Sequence, residues 1–202
     1  MKKIAVLISD AGTGSNLQAM IDSIYAKKLA VQICVVISDS KEAIGIQRAK
    51  NARIPTYIFD SREEGLEILL QKKYPVDFIV LTGWKKIIPD SLITIFAGKI
   101  INIHPGLIPD TFDGFVLNPD QTSGLWNRGK FTKKALQNFL DQKATYAGSS
   151  VHFLSKTFDF GKVLGRCFEK IRSGDTVETL YKRLKVKEHT LLVDILKELS
   201  ET

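Results

Sequence analysis

Short, continuous apolar runs alternate along this chain with stretches in which apolar residues return every three or four positions. The runs Ile4 to Ile8, Val31 to Ile37, Thr56 to Phe59, Phe78 to Leu81 and Ile100 to Ile103 predict strands. Between them, Leu17, Met20, Ile21 and Ile24, then Ala43, Ile46 and Ala49, then Leu66, Leu69 and Leu70 after Ser61 predict helices. A strand that is apolar at every position, rather than at every second one, is covered on both faces, which is the mark of a parallel sheet flanked by helices. The expected fold is therefore α/β: a single Rossmann-like domain over residues 1–202 with a mostly parallel, doubly wound sheet, Ile100 to Ile103 being its fifth strand.

Beyond Pro109 the alternation dissolves into turn-forming residues, among them Asp113-Gly114, Asn118-Pro119-Asp120 and Ser123-Gly124. A long loop or insertion over about residues 110–146 is expected, interrupted by a short helix from Lys133 to Leu140. Ser149 to Leu154 and Lys162 to Cys167 then read as strands. Val177 to Leu199 reads as a long helix, with room for an interruption, and Asp175-Thr176 caps its start. No internal repeat or low-complexity tract is present.

Composition narrows the classes. Hydrophobic content of 44% and charged content of 25% in 202 residues are those of a globular protein. No apolar run is long enough to span a membrane. Met1-Lys2-Lys3 leads straight into a strand rather than a signal-peptide core, so a cytoplasmic location is expected for a bacterial-type chain. The net charge of +7 is scattered, and only Lys182, Arg183, Lys185 and Lys187 cluster. A solvated helix face accounts for them better than nucleic acid does, and the charge also suits small ligands bearing phosphate or carboxylate. Cys34, Cys167 and the histidines share no metal-ligand spacing, so no metal site is expected.

Candidate chemistry concentrates at strand ends. Pro105 and Pro109 cannot continue a ladder, which places Asn102 and His104 at the carboxyl end of a strand and, two residues apart, on one side of it. Ligands of open α/β sheets bind beyond those ends. A polar pair capping the strand is the plain alternative. Ser9 to Asn16 joins the first strand to the first helix, where free backbone N–H groups form an anion site. It lacks the Gly-Lys-Ser/Thr of a Walker loop, and Leu17 replaces the third glycine of a dinucleotide fingerprint, so turn glycines are equally consistent. Gly83 to Ile88 reads on its own as a solvated turn with Ile87 and Ile88 in the core. Arg62 reads as a first-turn charge, His152 as a core histidine, Asp159 as a turn aspartate and Glu188 as a surface carboxylate among Lys185 and Lys187.

The letters around these residues carry more than their spacing. Asn102-Ile103-His104-Pro105-Gly106-Leu107-Ile108-Pro109 resembles the Asn-x-His-Pro-Ser-Leu-Leu-Pro signature of folate-dependent formyltransferases, with Gly106 where Ser is usual. Gly148-Ser149-Ser150-Val151-His152-Phe153 followed by Phe158-Asp159-x-Gly161 resembles the second signature of the same family. Gly14-Ser15-Asn16-Leu17-Gln18-Ala19 narrows the resemblance to the phosphoribosylglycinamide (GAR) formyltransferases of purine synthesis. The likeness extends from the first strand to the last helix and weakens at Lys85 and in the long loop.

The resemblance implies transfer of a formyl group from the co-substrate 10-formyltetrahydrofolate to the amine of GAR, without a metal. Asn102, His104 and Asp159 are its implied catalytic residues: Asn102 and His104 donate to the tetrahedral oxyanion, while Asp159 raises the imidazole pKa and holds a water. Gly14, Ser15 and Asn16 are implied for the GAR phosphate, with bulk at Gly14 expected to block the anion, and Gly83, Pro105 and Glu188 for other parts of that substrate. Arg62, Trp84, Lys85, Lys86, Ile87 and Ile88 are implied for the folate; Lys85 replaces an apolar residue, and Lys86 an arginine. Small molecules, not nucleic acid or membrane, are the implied partners, and oligomeric state is left open. The lengths of the methionyl-tRNA enzyme and the folate hydrolase disfavour them, so nucleotide-sugar formyl transfer, or a binding module without turnover, stands as the alternative. The long loop is expected to close over the folate through Phe115, Leu117 and Trp126; packing of Trp126 and Phe131 on the core is the competing expectation.

Overall fold

The computed structural model describes residues 1–10, 12–60 and 65–201. The chain divides into two compact units, one of residues 1–102 with 193–202 and one of residues 103–192.

The first unit is built on parallel strands: β1 (Lys2–Ile8), β2 (Val31–Ser38), β3 (Thr56–Ile58), β4 (Phe78–Leu81) and β5 (Ile100–His104), the last running on into the second unit. β1 lies between β2 and β4, with Val6 opposite both Val36 and Val80, and β4 continues to β5. Ile4, Ala5, Val6 and Leu7 are wholly buried, as their unbroken apolar run requires. Helices α1 (Ser15–Tyr25) and α2 (Ile44–Asn51) follow the first two strands and bury Leu17, Met20 and Ile21, and Ile46 and Ala49. The helix expected after Ser61 is a three-residue α3 (Leu66–Ile68) that widens into a π turn at Leu69–Lys73, keeping Leu69 and Leu70 inward. A short helix α4 (Asp90–Ile95) has no counterpart in the sequence reading; Pro89 precedes it, and Leu92 and Ile93 are too few to show a period.

The second unit holds α5 (Thr132–Asp141), the antiparallel pair β6 (Tyr146–Phe153) and β7 (Val163–Lys170), and most of α6 (Val177–Glu201). Leu136 and Phe139 of α5 pack with Ala147, Leu180 and Leu184 in its core. A buried phenylalanine of this kind contributes about 2–3 kcal/mol. Thr176 caps α6: its hydroxyl accepts from the Thr179 N–H at 3.3 Å and the Thr179 hydroxyl accepts from the Thr176 N–H at 2.9 Å. α6 runs from Val177 to Glu201 without interruption, and Arg183 ties it to Glu169 at 2.8 Å and to Asp175 at 2.6 Å. The basic cluster is thereby partly spent on ion pairs, Lys187 also meeting Glu169 at 3.0 Å.

Strand order is β3-β2-β1-β4-β5-β6-β7. This is the expected α/β, mostly parallel, Rossmann-like arrangement, whose order reverses between β1 and β4. Among the described residues no helix is long and apolar enough to cross a membrane.

Candidate active site

His104 is the last residue of β5, and Pro105 ends the ladder behind it. The imidazole is 2% exposed. Its Nε2 lies 2.7 Å from the carbonyl oxygen of Trp126, which only accepts, so the contact is a hydrogen bond when Nε2 carries the proton. Nδ1 faces Asp159 Oδ1 at 3.7 Å, beyond a direct hydrogen bond and within the span of one bridging water. Asp159 has a φ of 49°, in the left-handed region. Its Oδ2 accepts from the Gly129 N–H at 2.7 Å and its backbone carbonyl from the Trp126 indole N–H at 3.0 Å.

Burial lowers the His104 pKa below the ordinary imidazole value, opposed by the Asp159 charge and the Trp126 carbonyl. Asp159 pulls the value upward as expected, and desolvation outweighs it. His152, in the interior of β6, is lowered to about 4, first by burial and then by His104. It is the core histidine that its apolar neighbours suggested.

The turn after His104 is held from several sides. Ser150 donates from its hydroxyl to the Gly106 carbonyl at 2.7 Å and accepts from the Ile108 N–H at 2.9 Å. Arg166 on β7 donates to the Ile108 carbonyl and to Asp110, and Asn127 donates to the Pro105 carbonyl at 3.3 Å. Phe112, Trp126 and Phe160 stack in tilted and edge-on pairs 5.5–5.7 Å apart, with Arg128 over Phe112 and Trp126. The Trp126 ring is thus engaged within this unit, while Phe115 and Leu117 are exposed. Phe131 is exposed too, so it does not join Trp126 in packing on the core.

Glu188 is 3% exposed and accepts from the Ser149 hydroxyl at 2.5 Å, its carboxyl pushed up by burial. The surface carboxylate expected from its lysine neighbours is therefore corrected: α6 turns Glu188 toward β6.

In the first unit, Gly14 has a φ of 64° and precedes α1, whose first turn carries no acidic residue. A Cβ at Gly14 meets Gly45 Cα of α2 at 2.9 Å, so the glycine is required by helix packing as well as by its φ. Arg48 of α2 holds the loop, donating to the Thr13 carbonyl and to Gln18 at 2.9 Å each. The Oδ1 atom of Asn16 is buried without a hydrogen-bond partner, as are Thr82 Oγ1 and Trp84 Nε1 in the loop after β4. Buried polar atoms are normally paired; Asn16 lies in the first turn of α1, and Thr82 and Trp84 in the loop after β4. Gly83 has a φ of 86° and open space about it. Lys85 donates its N–H to Ser9 and pairs with Asp10 at 3.1 Å. Lys86 lines a hollow with Lys41, Phe59 and Asp60. Ile88 is buried as expected, whereas Ile87 is exposed. Arg62 lies outside the described residues. Asn102 pairs in register with Leu81 and shares with His104 one side of β5.

The second unit thus brings His104 and Asp159 together, with Pro105 in the turn between them and their anchors, and seats Glu188 separately on Ser149. The first unit carries Gly14, Ser15 and Asn16 at the start of α1 and Gly83 to Ile88 in the loop after β4. Sequence reasoning missed Trp126, Gly129, Ser150 and Arg48 as supports of these residues. Their contacts are mostly made to backbone, which leaves no motif to read.

A family model for formyl transferase matches residues 2–196. Phosphoribosylglycinamide formyltransferase of Dictyostelium discoideum is 34% identical over 217 residues, covering 98% of this chain and 97% of that one. Its counterpart in Escherichia coli (strain K12) is 32% identical, covering 93% and 82%. The human trifunctional purine biosynthetic protein adenosine-3 is 31% identical over 94% of this chain, which spans only 17% of its length. The crystal structure of glycinamide ribonucleotide transformylase 1 from Symbiobacterium toebii superposes with a TM-score of 0.83 at 29% identity, covering 100% of this chain and 88% of that one.

Proposed function

The chain belongs to the formyl transferase family, and on that premise we propose that it transfers the formyl group of 10-formyltetrahydrofolate to the amine of GAR in purine synthesis. The observation that carries this reading is the agreement along nearly the whole chain with relatives named phosphoribosylglycinamide formyltransferase. Residues 1–202 then act as one formyltransferase domain, cytoplasmic and directed at small molecules.

The GAR amine attacks the formyl carbon. A tetrahedral oxyanion forms, the bond to the folate nitrogen breaks, and the proton lost by the amine ends on that nitrogen. Asn102 donates its side-chain amide to the oxyanion. His104 is less suited to that role than the family pattern implies, since Nε2 is occupied by Trp126 and Nδ1 faces Asp159. It serves instead in the proton transfer with Asp159, its lowered pKa keeping a free base at neutral pH. The amide groups of Gly14, Ser15 and Asn16 at the start of α1 hold the GAR phosphate. Gly83, Pro105 and Glu188 contact the rest of GAR. Arg62 and Trp84 to Ile88 receive the folate, with Trp84 Nε1 and Thr82 Oγ1 offering unpaired polar atoms.

The test is a competition assay: formyl transfer from 10-formyltetrahydrofolate measured with GAR, a nucleotide amino sugar and water as acceptors. Preference for GAR is expected. Faster transfer to the sugar or to water overturns the assignment.

A further inference from the structure

Position 106 is where this chain departs from its family's first signature, and the geometry gives the departure a purpose. Gly106 has no positive φ to demand glycine. What it has is a neighbour: a Cβ built there would lie 1.8 Å from the Trp126 carbonyl oxygen and 2.9 Å from His104 Nε2. Any larger residue therefore displaces the carbonyl from the imidazole. That carbonyl oxygen sits 2.7 Å from Nε2, and the same tryptophan reaches Asp159 through its indole N–H.

We propose that Gly106 and Trp126 are positioning residues that fix His104 in the tautomer protonated on Nε2, so that Nδ1 is the nitrogen that takes and returns the proton opposite Asp159. Three further contacts keep the arrangement in place. The Gly129 N–H holds the second oxygen of Asp159, Arg128 holds the Phe158 carbonyl at 3.0 Å, and Asn127 holds the Pro105 carbonyl. The residues from Trp126 to Gly129 thus bind both the turn after His104 and the turn that carries Asp159. Had the proton sat on Nδ1, two acceptors would face each other across 2.7 Å at Nε2. The ionisable groups facing the imidazole are Asp159 and His152, and His152, buried and uncharged, competes for no proton at neutral pH. In a transfer reaction the consequence is directional. The proton from the attacking amine passes by water or by Asp159 to the Nδ1 lone pair, and the N–H on Nε2 is spent on the protein.

The inference rests on the formyl-transfer reading only for its catalytic meaning; the tautomer itself is measured without substrates. Long-range nitrogen–proton NMR spectra of the uniformly ¹⁵N-labelled full chain at neutral pH distinguish the two ring nitrogens, and the His104→Gln variant assigns the signals. His104 is expected with Nε2 protonated and Nδ1 bare. A proton on Nδ1, or averaging between the tautomers, overturns the proposal. Gly106→Ser should abolish the preference and lower kcat about tenfold or more with both KM values within about twofold. Trp126→Phe keeps the carbonyl and should keep the tautomer while loosening Asp159, so it remains informative if Gly106→Ser does not fold. Loss of the Nε2 proton signature in Trp126→Phe alone also counts against the proposal. Absence of transfer to any acceptor by a chain with the expected tautomer rejects the function and leaves the positioning intact.

Discussion

Around His104 the protein spends backbone groups on reacting side chains; around the loops that follow β1 and β4 it leaves side-chain atoms unspent. In the second unit a carbonyl fixes one nitrogen of the imidazole, and an amide N–H fixes one oxygen of Asp159. Beside β1 and β4 in the first unit Asn16 Oδ1, Thr82 Oγ1 and Trp84 Nε1 are buried without partners, as Asn118 Oδ1 and His189 Nε2 are away from His104 in the second, and Lys85 and Asp10 pair with side chains 42% and 58% exposed. An unmet buried polar group costs about 1–3 kcal/mol, which a ligand that satisfies it returns as affinity. The difference separates two tasks. Chemistry needs groups fixed before the substrate arrives, whereas recognition can keep polar atoms waiting for it.

The comparison is broken most directly at Asp159. Asp159→Asn keeps the left-handed backbone, which asparagine tolerates, and keeps an oxygen for the Gly129 N–H, but removes the charge opposite Nδ1. Turnover is expected to fall by about 10² to 10⁴ with both KM values and thermal stability little changed. Unaltered turnover at saturating substrates would reduce the second unit to a scaffold.

A second effect should appear in pH dependence of stability. The folded pKa of His152 is about 4 against an unfolded value of 6.5. Between these values the unfolded chain binds the extra proton, so stability is complete above the unfolded pKa and is lost as pH falls toward the folded one. The lost stabilisation amounts to about 3 kcal/mol. His104, also lowered by burial, adds in the same direction, and Glu188, raised by burial, acts oppositely. Urea midpoints of wild type and His152→Gln compared from pH 7 to pH 4 cancel those shared contributions. The variant should lose less stability on acidification; parallel curves would mean that His152 is not held uncharged.

Gly14→Ala tests whether the first unit is open only in its polar atoms. The left-handed φ costs an alanine about 1–2 kcal/mol, and its Cβ presses on Gly45. A fall of about 2 kcal/mol in unfolding free energy is expected, with the KM for GAR raised more than that for the folate. A raised KM for GAR with an unchanged urea midpoint would restore Gly14 to a ligand role alone.

These tests also mark what the sequence could disclose. Period and apolar runs located the parallel strands to within a few residues, because double-sided burial writes itself in Val and Ile. The letters of two signatures located His104 and Asp159. They could not reveal that Trp126 holds both, since the holding atoms are a carbonyl on His104 and an indole N–H on a carbonyl, contacts set by loop geometry. Glu188 misled for the opposite reason: the preceding Lys185 and Lys187 suggested solvent, but a helix turns successive residues by about 100°, and one step is enough to face the interior. α4 escaped because six residues give less than two turns of pattern.

The smallest effect is expected at Lys85 and Asp10, an exposed ion pair of the first unit. Their ions are 3.1 Å apart, yet both side chains stand largely in water, where a pair contributes about 0–1 kcal/mol. The Lys85 backbone is anchored separately, its N–H donating to Ser9 at 3.0 Å, so replacing the side chain leaves the loop attached. A double-mutant cycle with Lys85→Met and Asp10→Asn, read by urea unfolding, should therefore give a coupling below about 1 kcal/mol. Raising the salt concentration should reduce that coupling further, because exposed charges are screened. The same cycle read as affinity for 10-formyltetrahydrofolate and for GAR separates a ligand role from a structural one, since an ammonium kept available for an anion weakens one affinity when removed. A stability coupling above about 2 kcal/mol, insensitive to salt, would mean that the first unit fixes its loops as firmly as the second fixes His104, and the division between waiting and prepared groups would fail.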